Sequence, residues 1–332
     1  MLLHRYARIV PALGALAVLA SCAGSGTSSS SLPGSTAAQS AARRTTEAVR
    51  SSTPTDLLYV VVPGELDAYD VSTDTPPTQP YFSIKSKKFG SAPSVAMAGT
   101  ALFAASGRST NQSSPIWAPA PTSAKSKITY SCAKDFNTED AAGATASASA
   151  IYTTVDGREI NVLDYPFSGP KCPKKPTHTW PVSNNAEVLF ATQNNNLYYT
   201  DDEGNVWEVP NGSSTPQLLG TTGGISVANM TVDSYGHIIA VDYNTCNLYI
   251  FTPGSGSLSL TTMYPVSTCS REFDQGGIII DGNESRIFIG DYASNTIDVV
   301  NYSVQSGTPS AGYNFATKHN AWSIAVSPVD SL

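Results

Sequence analysis

From Leu57 onward the chain repeats one pattern of hydrophobic and polar positions. A short apolar run, rich in β-branched and aromatic residues, is followed by a polar turn and a second apolar run, which is typical of a β-hairpin. Six such hairpins follow one another at intervals of about 40 to 50 residues, and they begin at Leu57, Ala101, Ile151, Leu197, Ile238 and Ile287. No helical period competes with this pattern, which therefore predicts an all-β protein.

Further apolar runs complete the repeat. Every hairpin except the first follows a short run, and these runs begin at Ser94, Gly143, Glu187, Ser226 and Gly276. Less distinct fourth strands are expected from Tyr81, Lys127 and Leu260. A last run, from Ala321, has no hairpin after it. The arrangement that uses every run is a six-bladed β-propeller with circular closure, in which the C-terminal strand is the innermost strand of the first blade.

Two stretches in the second half of the chain resemble the NHL repeat. In VDSYGHIIAVDYNTCNLYIF, the acids, turn glycine and polar turn residue of that repeat correspond to Asp233, Gly236, Asp242 and Asn244. IIIDGNESRIFIGDYASNTIDVV, from Ile278, is a looser copy. The resemblance implies a propeller of the NHL or gluconolactonase-like type, and propellers of these types serve binding, scaffolding and hydrolysis alike.

The beginning of the chain has the features of an export signal. Arg5 and Arg8 precede an apolar run from Ile9 to Ala20, which is too short for a permanent membrane span. The run ends in Leu-Ala-Ser-Cys, which resembles the lipobox of bacterial lipoproteins and implies cleavage before Cys22 and acylation of Cys22. An ordinary secretory signal with an incidental cysteine is the alternative interpretation.

The composition divides the rest of the chain into a tether and a body. Residues 22–54 are rich in Ser, Thr, Ala and Gly and have no apolar period, so we expect a flexible lipid-anchored tether between a signal peptide (1–21) and a propeller (55–332). The expected location is the bacterial cell envelope, at the outer membrane if the host is diderm. The net charge of −7 and the lack of a basic cluster beside aromatic residues argue against nucleic acid as a partner. Because propellers protect their edges, a monomer is expected.

Four cysteines remain after Cys22, and an even number in an exported chain suggests disulfides with three alternative connectivities. Cys246 and Cys269 should both open on one face of the fifth blade, so a Cys246–Cys269 disulfide is the preferred pairing. A Cys132–Cys172 disulfide then follows by elimination.

A ligand site is expected on the face that carries the turns between second and third strands together with the connections between blades. The candidate ligand-binding residues there are Arg108, Arg158, Asp201, Asp242, Asn244, Arg271, Asp274, Asp291 and His319. This set carries both charges and suits a saccharide, a peptide or a divalent cation. No cofactor is expected, although Ca²⁺ or another divalent cation would fit oxygen ligands. The recurring aspartates also have a structural interpretation, because Asp commonly accepts hydrogen bonds from the turn it begins.

No nucleophile elbow, zinc-protease motif or phosphate-binding loop is present in the sequence. His178 is expected in a proline-flanked basic loop, and only His319 lies where a site is predicted. The leading hypothesis is a non-enzymatic envelope module that binds a polymer, a saccharide or a protein. The alternatives are a metal-dependent, gluconolactonase-like hydrolase and an envelope assembly factor.

Overall fold

The computed structural model describes residues 54–89, 94–105, 113–132, 144–155, 159–182, 191–266, 277–321 and 323–327. Within these ranges every regular element is a β-strand, and no helix there is long and apolar enough to cross a membrane. The 24 strands form six four-stranded antiparallel sheets. The protein is therefore all-β and a six-bladed β-propeller, as the repeat predicts.

The first three blades are built around the first three predicted hairpins. From the innermost strand outward, blade 1 consists of β24 (Ser323–Ser327), β1 (Leu57–Val62), β2 (Glu65–Asp70) and β3 (Phe82–Lys85). Blade 2 consists of β4 (Ser94–Ala98), β5 (Ala101–Ala105), β6 (Ser114–Trp117) and β7 (Tyr130–Cys132). Blade 3 consists of β8 (Ala144–Ala146), β9 (Ala150–Val155), β10 (Glu159–Asp164) and β11 (His178–Pro181).

The other three blades have the same order. Blade 4 consists of β12 (Ala191–Gln193), β13 (Asn196–Thr200), β14 (Asn205–Val209) and β15 (Gln217–Thr221). Blade 5 consists of β16 (Val227–Val232), β17 (Ile238–Asp242), β18 (Asn247–Pro253) and β19 (Leu258–Pro265). Blade 6 consists of β20 (Ile278–Ile280), β21 (Arg286–Asp291), β22 (Thr296–Ser303) and β23 (Thr308–Ala316).

The ring closes as predicted. The C-terminal strand β24 pairs antiparallel with β1, with Leu57 opposite Ser327 and Val61 opposite Ser323. Three outer strands, β11, β15 and β23, are present that the pattern did not reveal, and His178 is the first residue of β11 rather than part of a loop. These strands are half-exposed and rich in Pro, Gly, Thr and Ser, so they lack a continuous apolar run.

Packing between neighbouring blades forms the core. In β1 every residue is buried, because alternate side chains point to opposite faces of the sheet and each face contacts another blade. Tyr59 packs against blade 2 with Met97 and Leu102, whereas Val60 packs against blade 6 with Phe288. This two-sided burial explains why the inner strands are continuous apolar runs rather than alternating ones.

Strand order defines two faces of the disc. The upper face carries the turns between second and third strands and the connections between blades. The lower face carries the turns between first and second strands and those between third and fourth strands. Because β1 runs from the lower to the upper face, the chain enters the propeller at the lower face near Asp56 and leaves there after Ser327.

Buried polar groups on the lower face join consecutive blades. Arg286 of blade 6 donates from Nε to Asp281 Oδ2 (2.8 Å) and from Nη1 to the carbonyl of Val71 in blade 1 (2.6 Å). One blade earlier, the fully buried Asp233 accepts hydrogen bonds at Oδ2 from the Tyr302 hydroxyl of blade 6 (2.6 Å). Asp233 therefore bonds directly to the next blade, whereas Asp281 acts through Arg286, which makes the contact with blade 1.

Candidate functional site

The predicted aspartates of the upper face occupy equivalent turns in blades 4, 5 and 6. Asp201 Oδ1 accepts hydrogen bonds from the backbone N–H groups of Glu203 (3.0 Å) and Asn205 (2.9 Å). Its Oδ2 accepts hydrogen bonds from Asn205 Nδ2 and Trp207 Nε1, both at 2.9 Å. Burial alone would raise the pKa of Asp201, but the hydrogen bonds from Asn205 and Trp207 outweigh it and lower the pKa below its usual value.

The corresponding acids of blades 5 and 6 make the same kind of contacts. Asp242 accepts from the Asn244 backbone N–H (3.1 Å) and the Thr245 hydroxyl (2.6 Å). Asp291 accepts from the Ala293 N–H (2.9 Å) and the Ser294 hydroxyl (2.6 Å). Both carboxylates are buried. These bonds give each aspartate a turn-stabilising role, and its predicted contact with a ligand stays a prediction.

The turns of blades 5 and 6 present neutral aromatic and amide groups to solvent, whereas the turn of blade 4 exposes Asp202 and Glu203. Tyr243 follows Asp242 directly and is 37% exposed, and the predicted residue Asn244 is exposed beside it. Tyr292 follows Asp291 in the same way and is half-buried, and Asn295 of that turn is exposed. Sequence reasoning singled out the acids and missed both tyrosines. The signal was the Asp-Tyr pair repeated at the same turn of two consecutive blades.

His319 belongs to a charged cluster where the ring closes. It lies in the connection from β23 to β24, and its Nε2 is 3.3 Å from Glu65 Oε2 in blade 1. Lys318 donates from Nζ to Glu65 Oε1 (2.7 Å), and the buried Asp67 accepts from the Ser83 hydroxyl. One ligand atom each from Glu65, Asp67 and His319 lie within 4.8 Å of one another, so the three residues could hold a metal ion.

The cluster has an unequal charge distribution. Burial would raise the pKa of Glu65, but the hydrogen bond and the charge of Lys318 lower it below its usual value. Burial dominates at Asp67 and raises its pKa, against the hydrogen bond from Ser83. The ammonium of Lys318 therefore already supplies a cation to Glu65, and a metal ion would have to compete with it. Of this cluster, the sequence identified only His319. Glu65 and Asp67 lie in the first hairpin, more than 250 residues away in sequence, and nothing local indicates that Lys318 contacts them.

The innermost strands enclose a cavity of about 140 Å³ along the propeller axis. Its described wall consists mainly of apolar residues, with neutral polar ones such as Gln193, Asn229 and Thr231. Gln193 is buried, and its Nε2 donates to no acceptor within the described part of the chain. Asp281 is the one charged residue of the described wall, and it is bonded to Arg286. The cavity therefore suits water or a neutral, hydroxyl-bearing group.

Several predicted residues lie outside the described ranges, namely Cys22, Arg108, Arg158, Cys269, Arg271 and Asp274. The Cys132–Cys172 disulfide is confirmed, with a Cα–Cα distance of 5.1 Å. It links the outermost strand of blade 2 to blade 3. Cys246 is also disulfide-bonded, and its pairing with Cys269 stays a prediction.

No protein-family model and no curated protein matches the sequence. Solved structures match the fold at low sequence identity. A chain of a nidogen/laminin complex has a TM-score of 0.58 at 11% identity and covers 82% of this chain and 99% of its own. A functionally unknown protein from Desulfotomaculum acetoxidans has a TM-score of 0.51 at 14% identity, covering 78% and 80%. A protein from Lactobacillus plantarum has a TM-score of 0.50 at 10% identity, covering 82% and 99%. These similarities concern the fold alone.

Proposed function

We propose that this chain is an exported, lipid-anchored envelope protein whose propeller binds a hydroxyl-rich polymer, such as an envelope polysaccharide, on its upper face. The observation that carries the proposal is the division of roles within the turns of blades 5 and 6. There the aspartates are bonded within the turn, the exposed positions include Tyr243, Asn244 and Asn295, and Tyr292 is half-buried beside them.

These groups suit a saccharide ligand for physical reasons. A tyrosine ring offers an apolar face for the C–H groups of a sugar and a hydroxyl for its polar edge, at a low cost in side-chain entropy. The amides of Asn244 and Asn295 each offer donors and an acceptor, which matches vicinal hydroxyl groups. Two equivalent turns one blade apart would contact successive units of a polymer, and such repeated contacts raise the overall affinity.

The test is co-sedimentation of the body, residues 54–332, with purified peptidoglycan sacculi and with the soluble polysaccharides of the same envelope. Replacing both Tyr243 and Tyr292 by Ala should weaken binding by about tenfold, since each aromatic contact contributes about 0.5–1.5 kcal/mol. The matched control is Tyr235→Ala, because Tyr235 is 62% exposed but lies in a lower-face turn. Equal losses in the control and the double variant would contradict the proposal.

The lipid anchor is tested separately. A Cys22→Ser variant of the full chain should lose the acyl mass, because serine lacks the thiol that takes the lipid, and it should lose the membrane attachment that the acyl chains supply. Unchanged mass and unchanged fractionation would contradict lipidation at Cys22 without affecting the polysaccharide result.

A metal-dependent hydrolase is the second candidate, and the Glu65, Asp67 and His319 cluster is the observation that favours it. Metal analysis of the purified protein distinguishes the two functions. A stoichiometric divalent cation that is lost in His319→Ala, together with lactone hydrolysis that stops on chelation, would favour the hydrolase. Capture of a specific envelope protein without saccharide binding would instead favour the assembly factor.

A further inference from the structure

Two loops on the lower face carry half of the basic residues that the structure describes. They are residues 118–129, between β6 and β7, and residues 165–177, between β10 and β11. Their exposed lysines are Lys125, Lys127, Lys171, Lys174 and Lys175. Neither loop contains Asp or Glu. In a chain with a net charge of −7, this local excess of positive charge is a distinct surface, which we name the paired lysine loops.

The paired lysine loops belong to different blades but form one unit. The Cys132–Cys172 disulfide joins the strand that follows the first loop to the middle of the second. The rings of Tyr130 and Phe167 pack edge to face with their centroids 5.1 Å apart, and Tyr165 packs on Phe167 at 5.4 Å. Proline is frequent in both loops, at residues 119, 121, 166, 170, 173 and 176. Cross-linking and proline restrict the backbone, so little conformational entropy is lost when the lysines contact a partner.

The surroundings preserve this positive charge. The exposed acid nearest in sequence is Asp164, at the end of β10, and blade 1 places Asp70 and Asp74 on the same face. The third-to-fourth-strand turns of blades 4, 5 and 6, at residues 210–216, 254–257 and 304–307, contain no charged residue. The upper face exposes both signs, namely the acids Glu159, Asp202 and Glu203 and the lysines Lys85, Lys87 and Lys318. Among the described exposed residues, an excess of positive charge is therefore confined to the lower face.

The position at which the chain enters the propeller relates this surface to the membrane. Thr55 and Asp56 are bonded to Ser72 on the lower face, where β1 begins (N–H to Oγ, 2.9 and 3.0 Å). The chain therefore enters the propeller on the lower face. If Cys22 is acylated, as the proposed function holds, the entry point of the chain is on the same face as the paired lysine loops.

We propose that the paired lysine loops bind the anionic phospholipid surface of the anchoring membrane and orient the propeller with its upper face outward. This inference rests on the proposed lipid anchor. Lysines close to an anionic bilayer each contribute a favourable, salt-sensitive attraction, and a basic surface together with an acyl chain is a known form of two-signal membrane binding. The acyl chains retain the protein, and the lysines determine which face it turns to the lipid.

The experiment uses the body, residues 54–332, because the ring closes within it and because removing the tether also removes Arg43, Arg44 and Arg50. Its binding is measured by co-sedimentation with phosphatidylcholine vesicles, with and without 30% phosphatidylglycerol. Binding should require the anionic lipid. Lys174→Gln combined with Lys175→Gln should lower the partition coefficient by about tenfold, and 0.5 M salt should abolish binding. The matched control is Lys85→Gln with Lys87→Gln, which removes two exposed lysines near the upper face.

Three results would overturn the proposal. One is equal binding to vesicles with and without phosphatidylglycerol. The second is an equal loss in the upper-face control, which would indicate a general charge effect. The third is competition by 10 mM inorganic phosphate at constant ionic strength, which would indicate a discrete phosphate site rather than a membrane surface. None of these measurements involves Cys22, so a failed anchor and a failed lysine surface give different results.

Discussion

Arg286 is the residue whose replacement tests most directly how the ring is closed. It is buried, with 7% of its surface exposed, and its guanidinium lies 5.4 Å above the centre of the Phe288 ring. Burial tends to lower its pKa, but the hydrogen bond and the charge of Asp281 raise the pKa above its usual value. The guanidinium is therefore a permanent cation held between blade 6 and blade 1.

Arg286→Met keeps a long side chain but removes every donor. The carbonyl of Val71 then loses the guanidinium, and Asp281 Oδ2 keeps only the hydrogen bond from the Ser285 hydroxyl (3.1 Å), at a site where both Arg286 and Asp281 are buried. Removing one member of a buried ion pair costs about 3–5 kcal/mol, because the other charge stays buried without compensation. A loss of this size is a large fraction of the about 5–15 kcal/mol that stabilises a typical protein domain.

The assay is equilibrium unfolding of residues 54–332 in urea, followed by tryptophan fluorescence, with Lys87→Met as an exposed control that should change stability by less than about 0.5 kcal/mol. Adding Asp281→Asn to Arg286→Met should restore part of the lost stability, because Asn still accepts the turn hydrogen bonds of Ser285 and removes the uncompensated charge. A loss below about 1 kcal/mol, or strictly additive losses in the double variant, would refute this account of the closure.

Two further predictions concern buried acids. Tyr302→Phe removes the hydrogen bond to the fully buried Asp233 and should cost about 1.5–3 kcal/mol in the same unfolding assay, whereas Tyr235→Phe at an exposed site should cost little; equal effects of the two changes would argue against the inter-blade contact. The pKa of Glu65 is lower in the folded protein than its ordinary value, so Glu65 stabilises the fold above its unfolded pKa, and this contribution is lost as pH falls through the folded pKa. Glu65→Gln should therefore make the urea midpoint less dependent on pH between about pH 3 and 5, and an unchanged pH profile would contradict the ion pair with Lys318.

Sequence reasoning succeeded where a structural feature is local. Strand β1, with its uninterrupted run LLYVVV, and the hairpins at Ile238 and Ile287 are visible because a strand and its turn are encoded in about fifteen consecutive residues. The turn-stabilising role of Asp242 follows the same logic, since its partners lie within three residues of it. The circular closure was also predictable, because the first hairpin has no strand before it and the last strand, from Ala321, has no hairpin after it.

The sequence pattern did not reveal strands that are only partly buried. The outer strand β23 has the sequence TPSAGYNFA and alternates irregularly between exposed and buried positions, so no apolar run marks it. Its pairing with β22 is nevertheless extensive, from Thr296 opposite Ala316 to Ser303 opposite Thr308. An outer strand owes its existence to the hydrogen bonds offered by its neighbour, and those are invisible in its own side-chain pattern.

The amino-acid sequence alone determined the number of blades and their order, because both depend on short-range patterns. Only the tertiary structure decided which polar groups meet. Lys318 and Glu65 are 253 residues apart, Arg286 and Val71 are 215 apart, and the two lysine loops come together through a disulfide between neighbouring blades. Such pairs form because closing the ring brings distant turns onto the same face, and no local period records that proximity.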